Sequence, residues 1–272
     1  MATTSGNPLH PDLRESPATT DSARPSCLVL HGLGGGAYEL APIIAALEAE
    51  GLRVSVPVLP GHEGPGPIMP SSCWRDWAAT VEAEYDNLSA EGASVVVIGF
   101  STGGTLALYL AGRKPVARQV LLAPFLAIRF SHLIPLGPAI YLRHIARVVP
   151  HLRRRPPAVR DRELRRQLAD AAWYRTFSLG ATLSALELIE EVKPIVPTIA
   201  IPTLILQGKL DTVVEPRGAA WLHDHLGATR KALVNLPRSD HLVAFDRDRD
   251  EVISLTRDFV LGRGRFLEDP GS

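Results

Sequence analysis

The chain has 272 residues, a formal net charge of zero, 46% hydrophobic residues and 21% charged ones. That length holds one large domain or two small ones, and the neutral balance excludes a nucleic-acid or anionic-membrane surface built on bulk charge. No run approaches the roughly 18 consecutive apolar residues that span a bilayer. The segment through Pro25, rich in Pro, Ser, Thr and Ala, has no apolar signal-peptide core and reads as a disordered tail on a cytoplasmic protein.

Ser26 to Leu30 is a short apolar run, predicted as a strand, that ends in His31-Gly32-Leu33-Gly34-Gly35-Gly36. Cys27 within it reads as a small core residue; neither it nor Cys73 has metal or redox spacing, and no structural disulfide is expected. Apolar residues at helical spacing predict a helix from about Tyr38 to Glu50, stopped by Gly51. Arg53 to Val58 is the next predicted strand, and the Gly/Pro-dense stretch from Leu59 to Pro67, with His62 inside it, is a loop. Ser72 is placed to cap a helix from Trp74 to Ala90, on which Trp74, Trp77, Val81 and Tyr85 form a core-facing stripe. Val95-Val96-Val97-Ile98 is continuous and β-branched, as in a strand buried on both faces. It breaks into Gly99-Phe100-Ser101-Thr102-Gly103 and continues into a buried helix through Leu106 to Ala111; Arg118 to Ala123 is a fourth strand. Strand and helix alternate throughout, which predicts a parallel sheet covered by helices.

Between about Pro124 and Pro197 the alternation fails. Short apolar helical pieces (Leu133–Val149, Asp161–Tyr174, Ala181–Val192) are broken by prolines, and no buried strand is evident. Residues 124–197 are therefore expected to form a helical cap over the carboxyl edge of a core made of residues 26–123 and 198–262, with tails at 1–25 and 263–272. Arg153-Arg154-Arg155 reads as a solvated face; the sharper reading is attraction of anionic substrates or transient contact with a membrane surface. The core resumes with a strand at Thr203–Gly208, a turn through Asp211, and a helix from Pro216 to about Leu226. A last strand at Lys231–Leu236 leads into Pro237-Arg238-Ser239-Asp240-His241 and a closing helix from about Arg247 to Val260.

Ligands of an open parallel sheet bind beyond the carboxyl ends of its strands. Ser101, the His31-Gly32-Leu33 turn, Asp211 and His241 all fall at such ends. A serine alcohol needs a base within hydrogen-bond reach. His241 has a side chain that titrates near neutrality, and Asp211 would fix its tautomer, with Asp240 or Asp246 as the alternative orienting carboxylate. The N–H groups of Leu33 and Thr102 are the candidate donors to an oxyanion. His31 reads as ordering the glycine-rich loop, or less simply as taking part in chemistry, and His62 as a loop-structuring residue. The scattered histidines show no metal-ligand spacing, so no metal is expected.

These residues resemble the α/β-hydrolase superfamily, and within it the compact bacterial carboxylesterases and monoacylglycerol lipases with a small cap. The likeness rests on Leu30-His31-Gly32-Leu33, Leu59-Pro60-Gly61-His62, Gly99-Phe100-Ser101-Thr102-Gly103-Gly104, Gln207-Gly208-Lys209-Leu210-Asp211 and Ser239-Asp240-His241. It implies an α/β-hydrolase fold with a mostly parallel sheet of about six strands and a helical cap. It further implies Ser101 as nucleophile, His241 as general base and acid, Asp211 as its partner, and Leu33 and Thr102 as backbone oxyanion donors. The implied reaction is hydrolysis of a small carboxylic ester with an apolar acyl chain through an acyl-enzyme, without cofactor. A thioesterase or acyltransferase using the same residues is the alternative, and a non-catalytic receptor on the same fold is a third. Members of this family usually carry glycine before the histidine; Asp240 stands there, and a carboxylate so placed would raise the histidine's pKa. The chain begins nearly at its first strand, so the antiparallel edge strands of larger members are expected to be absent.

Overall fold

The computed structural model describes residues 24–90, 92–129, 138–172 and 174–263. The expected tails fall almost wholly outside these residues, as does the first part of the expected Leu133–Val149 helix. The strands in chain order are β1 (Ser26–Leu30), β2 (Val54–Ser55), β3 (Val95–Phe100), β4 (Arg118–Leu122), β5 (His151–Arg153), β6 (Thr176–Ser178), β7 (Thr203–Gly208) and β8 (Lys231–Leu236). The helices are α1 (Ala41–Ala49), α2 (Trp74–Ser89), α3 (Thr102–Ala111), α4 (Pro138–Ile145), α5 (Arg162–Ala171), α6 (Leu179–Val192), α7 (Arg217–His225) and α8 (Arg249–Val260). Six strands form one sheet in the order β2-β1-β3-β4-β7-β8, every neighbouring pair parallel.

Successive side chains of a strand point to opposite faces, and the sheet uses both. Leu28 and Leu30 of β1 and Val95 and Val97 of β3 pack with Trp77, Val81 and Leu88 of α2 and Leu188 of α6. Cys27 and Val29 of β1 and Val96, Ile98 and Phe100 of β3 pack instead with Ile43 and Leu47 of α1 and Phe259 of α8. Each fully buried large apolar side chain in these layers stabilises the fold by roughly 1.5–3 kcal/mol. Burial also pushes the Cys27 thiol up to about 12, where it stays protonated and inert. One polar pair interrupts the aliphatic interior: Gln119, second in β4, donates through Nε2 to Oγ1 of Thr203, which opens β7, at 3.0 Å, and both residues are fully buried.

Several expected boundaries move, each for a local reason. The strand expected over Arg53–Val58 pairs only at Val54–Ser55, because Pro57 has no N–H to continue the ladder. The helix expected from Tyr38 starts as a 3₁₀ turn at Ala37–Leu40 and becomes α-helical at Ala41, with Pro42 in its first turn. Ser72 does not cap α2. Cys73 holds the N-cap position without a side-chain bond, and the Ser72 hydroxyl accepts from the buried Trp77 indole at 3.1 Å. Residues 124–202, connecting β4 to β7, carry α4, α5 and α6, but also the antiparallel pair β5–β6, which the sequence reading did not include. No helix among the described residues is long and apolar enough to cross a membrane.

Candidate active site

Ser101 sits between β3 and α3 with φ 53° and ψ −117°, a positive-φ conformation costly for a residue with a Cβ. Its surroundings hold it there. The Ser101 N–H donates to the Leu122 carbonyl at 2.9 Å, its own carbonyl accepts from Phe125 N–H at 3.0 Å, and the Thr105 hydroxyl donates to the Phe125 carbonyl at 2.6 Å. Gly99 permits so sharp a turn because a Cβ there would meet the Gly103 carbonyl oxygen at 2.3 Å.

The structure brings Ser101, His241 and Asp211 together from three strand ends. Ser101 Oγ lies 3.0 Å from His241 Nε2, and His241 Nδ1 lies 2.9 Å from Asp211 Oδ2. With Nδ1–H donating to the carboxylate, Nε2 is left to accept from the serine hydroxyl. Asp211 is fully buried and saturated: Oδ1 accepts from the N–H groups of Val213 and Val214 at 2.8 and 2.9 Å, and Oδ2 also accepts from Gln207 Nε2 at 3.0 Å. Burial by itself would raise the Asp211 pKa, but the His241 charge and these hydrogen bonds outweigh it and hold it below the usual carboxylate range. For His241, burial would lower the pKa. The Asp211 charge and hydrogen bond, with lesser help from the Glu39 and Asp240 carboxylates, instead hold it above the ordinary histidine value. The Phe100 ring tilts against the imidazole with centroids 5.0 Å apart.

The loop after β1 is held by His62, the expected loop-structuring residue, and by Glu39 and Arg154, whose part in it the sequence reading missed. Glu39, fully enclosed, accepts the Gly32 N–H at 3.2 Å, and His62 Nε2 accepts the Gly34 N–H at 2.8 Å. Arg154, with only 15% of its side chain exposed, donates to the Gly34 carbonyl at 2.5 Å and pairs with Glu39 at 3.6 Å. The solvated-face reading of the arginine cluster is corrected for Arg154: a carbonyl and a buried carboxylate take its charge. Leu33 lies between the two tethered glycines, and neither its N–H nor that of Thr102 has an acceptor among the described residues. His31 and His62 are buried, with ring centroids 5.0 Å apart. Burial and the neighbouring His62 bring His31 down to about 4, and burial also lowers His62, so both stay neutral near pH 7. Asp240 and Asp246, the alternative orienting carboxylates, make no hydrogen bond to the His241 ring; they bind backbone N–H groups of its loop.

A hydroxyl hydrogen-bonded to an imidazole whose far nitrogen is fixed by a buried carboxylate can be made nucleophilic. Comparison with known proteins defines the class. The family model described as Hydrolase_4, serine aminopeptidase, S33, matches residues 21–248. The chain belongs to that family and is an α/β-hydrolase, an enzyme built on the sheet described above. Among its relatives, the thermostable monoacylglycerol lipase of Bacillus sp. (strain H-257) is 26% identical over 235 residues, covering 85% of this chain and 88% of the relative. The pimeloyl-[acyl-carrier protein] methyl ester esterase of Neisseria meningitidis serogroup C is 29% identical over 267 residues, covering 92% and 98%. The crystal structure of the Paleococcus ferrophilus monoacylglycerol lipase superposes with a TM-score of 0.75 at 21% identity, over 89% of this chain and 96% of that one. That last likeness is one of fold.

Proposed function

We propose that this ester hydrolase works through an acyl-enzyme on Ser101, with His241 as general base and acid and Asp211 orienting it. The carrying observation is the unbroken relay from Ser101 Oγ through His241 to Asp211, at 3.0 and 2.9 Å, on a strained turn. In the first half-reaction Ser101 Oγ bonds to the ester carbonyl carbon as its proton passes to His241 Nε2. The carbonyl oxygen becomes an oxyanion held by the Leu33 and Thr102 N–H groups. The C–O bond to the alcohol then breaks, and the alcohol leaves with the proton from His241. Water, deprotonated by the same nitrogen, attacks the acyl carbon and releases the acid, restoring Ser101.

Two features favour an ester with an apolar acyl chain. Gly34 of the oxyanion loop packs against Phe177 and Met69, so apolar side chains close over that loop. The carboxylates other than Asp211 whose charge reaches His241 are each paired with an arginine, Glu39 with Arg154 and Asp240 with Arg160. They are committed rather than held open for a substrate ammonium, as an aminopeptidase would require. Both arginines belong to the β4–β7 connection, which supports reading residues 124–197 as a cap seated on the site.

The test is turnover of p-nitrophenyl butyrate and decanoate together with fluorophosphonate labelling of Ser101. Turnover and a labelled Ser101 peptide are expected; absence of both refutes the reading, and preference for acyl-CoA over both esters would move it to a thioesterase. A second expected result concerns pH. Protonated His241 cannot take the serine proton, and its pKa is raised, so activity is complete above that pKa and lost as pH falls through it. The acid limb of kcat/KM should therefore lie above the ordinary histidine value of about 6.5. A profile between pH 5 and 9 with a limb below that value contradicts the assignment of the base.

A further inference from the structure

Asp240 occupies the position directly before His241, and its two oxygens do different work. Oδ1 accepts from the His241 N–H at 2.9 Å, the Thr212 N–H at 2.8 Å and the Thr212 hydroxyl at 2.9 Å. One oxygen thus joins the histidine's backbone to the residue that follows Asp211. Oδ2 faces Arg160 of the β4–β7 connection, with Nε 3.2 Å away. Arg160 is anchored independently of that ion pair. Its N–H donates to both oxygens of the fully buried Asp246 at 3.0 and 2.9 Å, and its guanidinium donates to the Leu210 carbonyl at 3.1 Å. Asp246 also accepts the N–H groups of Asp161 at 3.2 Å and Asp240 at 2.7 Å, so one carboxylate fastens the connection to the histidine loop.

We propose that Asp240 is a positioning residue for His241 and that Arg160 governs it, so that seating of the β4–β7 connection sets the pH range in which His241 accepts the Ser101 proton. The inference rests on the catalytic reading above. A carboxylate beside the imidazole favours its protonated form, and a guanidinium on that carboxylate offsets the effect. With the connection seated, Arg160 partly offsets the Asp240 charge, and His241 gives up its proton at a lower pH than it otherwise would. With Arg160 withdrawn, Asp240 stands uncompensated and His241 holds its proton to a higher pH.

The other groups facing His241 are Asp211 from the turn after β7, Glu39 from the 3₁₀ turn before α1, the Ser101 hydroxyl and the Phe100 ring. Arg129 donates to the Asp211 carbonyl, and Thr212 carries no charge. His31 and His62, held neutral by burial, add no charge near pH 7. Glu39 is balanced by Arg154, from the same connection as Arg160. That one segment therefore supplies the counter-cation to both carboxylates, other than Asp211, that act on the base.

The experiment compares pH profiles of kcat/KM for p-nitrophenyl butyrate, with the pH dependence of fluorophosphonate labelling as a second readout. Asp240→Asn should move the acid limb down by roughly half a unit or more, and Arg160→Gln should move it up by a similar amount. Arg160→Lys, which keeps the charge, should return the limb close to its original position, and Arg160→Gln in the Asp240→Asn background should produce no upward movement. A purely structural role would lower activity at every pH without moving the limb. Unmoved limbs in Asp240→Asn and Arg160→Gln, with Ser101 still labelled and the ester still cleaved, overturn this inference alone. Failure of the unaltered enzyme to label or turn over removes the catalytic reading and this inference with it. Asp240→Asn keeps the accepting oxygen at Oδ1, so it decides the matter by itself should Arg160→Gln fail to fold.

Discussion

Replacing Ser101 with alanine is expected to lower kcat by about four to six powers of ten and to leave the fold intact. The hydroxyl is the only group the change removes. Alanine keeps the Cβ, and the backbone contacts to Leu122 and Phe125 that hold the turn do not involve the side chain. The residual rate would come from substrate binding and from the oxyanion donors, which the substitution does not touch. Because a strained turn serves chemistry rather than stability, the variant should melt no lower than the parent. Single-turnover kinetics with p-nitrophenyl butyrate and a thermal unfolding curve measure both. A variant retaining a hundredth of the parental rate would exclude Ser101 as nucleophile.

The second large effect is expected at Gly103, which never touches the reacting atoms. A Cβ there would lie 2.2 Å from the Leu30 carbonyl oxygen, 2.6 Å from its carbon and 2.7 Å from the His31 carbonyl oxygen. All of these are backbone atoms, so no side chain can swing aside, and the start of α3 must move away from the end of β1. Leu33 lies just beyond β1 and Thr102 directly precedes Gly103, so that movement spreads the proposed oxyanion donors. Gly103→Ala should therefore cost about 1–3 kcal/mol of stability through overpacking, and about a hundredfold or more in kcat through misplacement of the order of an ångström. Urea unfolding and steady-state kinetics test the two parts separately. Unchanged kcat in a destabilised protein would show that the spacing of β1 and α3 does not govern the oxyanion site.

These two residues belong to the part of the site that was legible in the chain. The Val95–Ile98 run followed by Gly99-x-Ser101-x-Gly103 announces a buried strand and a tight turn because the constraints are local, and the same holds for the turns carrying Asp211 and His241. Glu39, Arg154, Arg160 and Asp246 were not legible in these roles. Glu39 falls in a segment that reads as an ordinary amphipathic helix, and the arginines gain meaning only from carboxylates far away in the chain. Asp240 was noticed as a departure from the family pattern, but its pairing with Arg160 depends on how a long connection folds back. Ser72 illustrates the same limit at short range. A hydroxyl before a helix suggests an N-cap, yet the Ser72 hydroxyl turns to the buried Trp77 indole N–H, which it shares with the Pro60 carbonyl. Strands of three residues, β5 and β6, have too little pattern to be read before their partners are known.

The buried Gln119–Thr203 pair has a consequence that reaches the opposite end of the sheet. Ser101, Leu33 and Thr102 come from the part of the chain before β4 ends; Asp211 and His241 come from the part that begins with β7. The proposed catalytic apparatus therefore straddles a single seam, β4 against β7, closed only after the long connection between them. Aliphatic side chains along that seam would tolerate a sliding match, and a parallel strand advances about 3.3 Å per residue. A slip of that size would carry Asp211 and His241 out of reach of Ser101 while leaving much of the greasy contact in place. The buried amide N–H of Gln119 reaches the Thr203 hydroxyl oxygen only when Gln119 faces Thr203, the alignment observed. They act as an index mark, set at the far end of the strands, for the distance between Ser101 and His241.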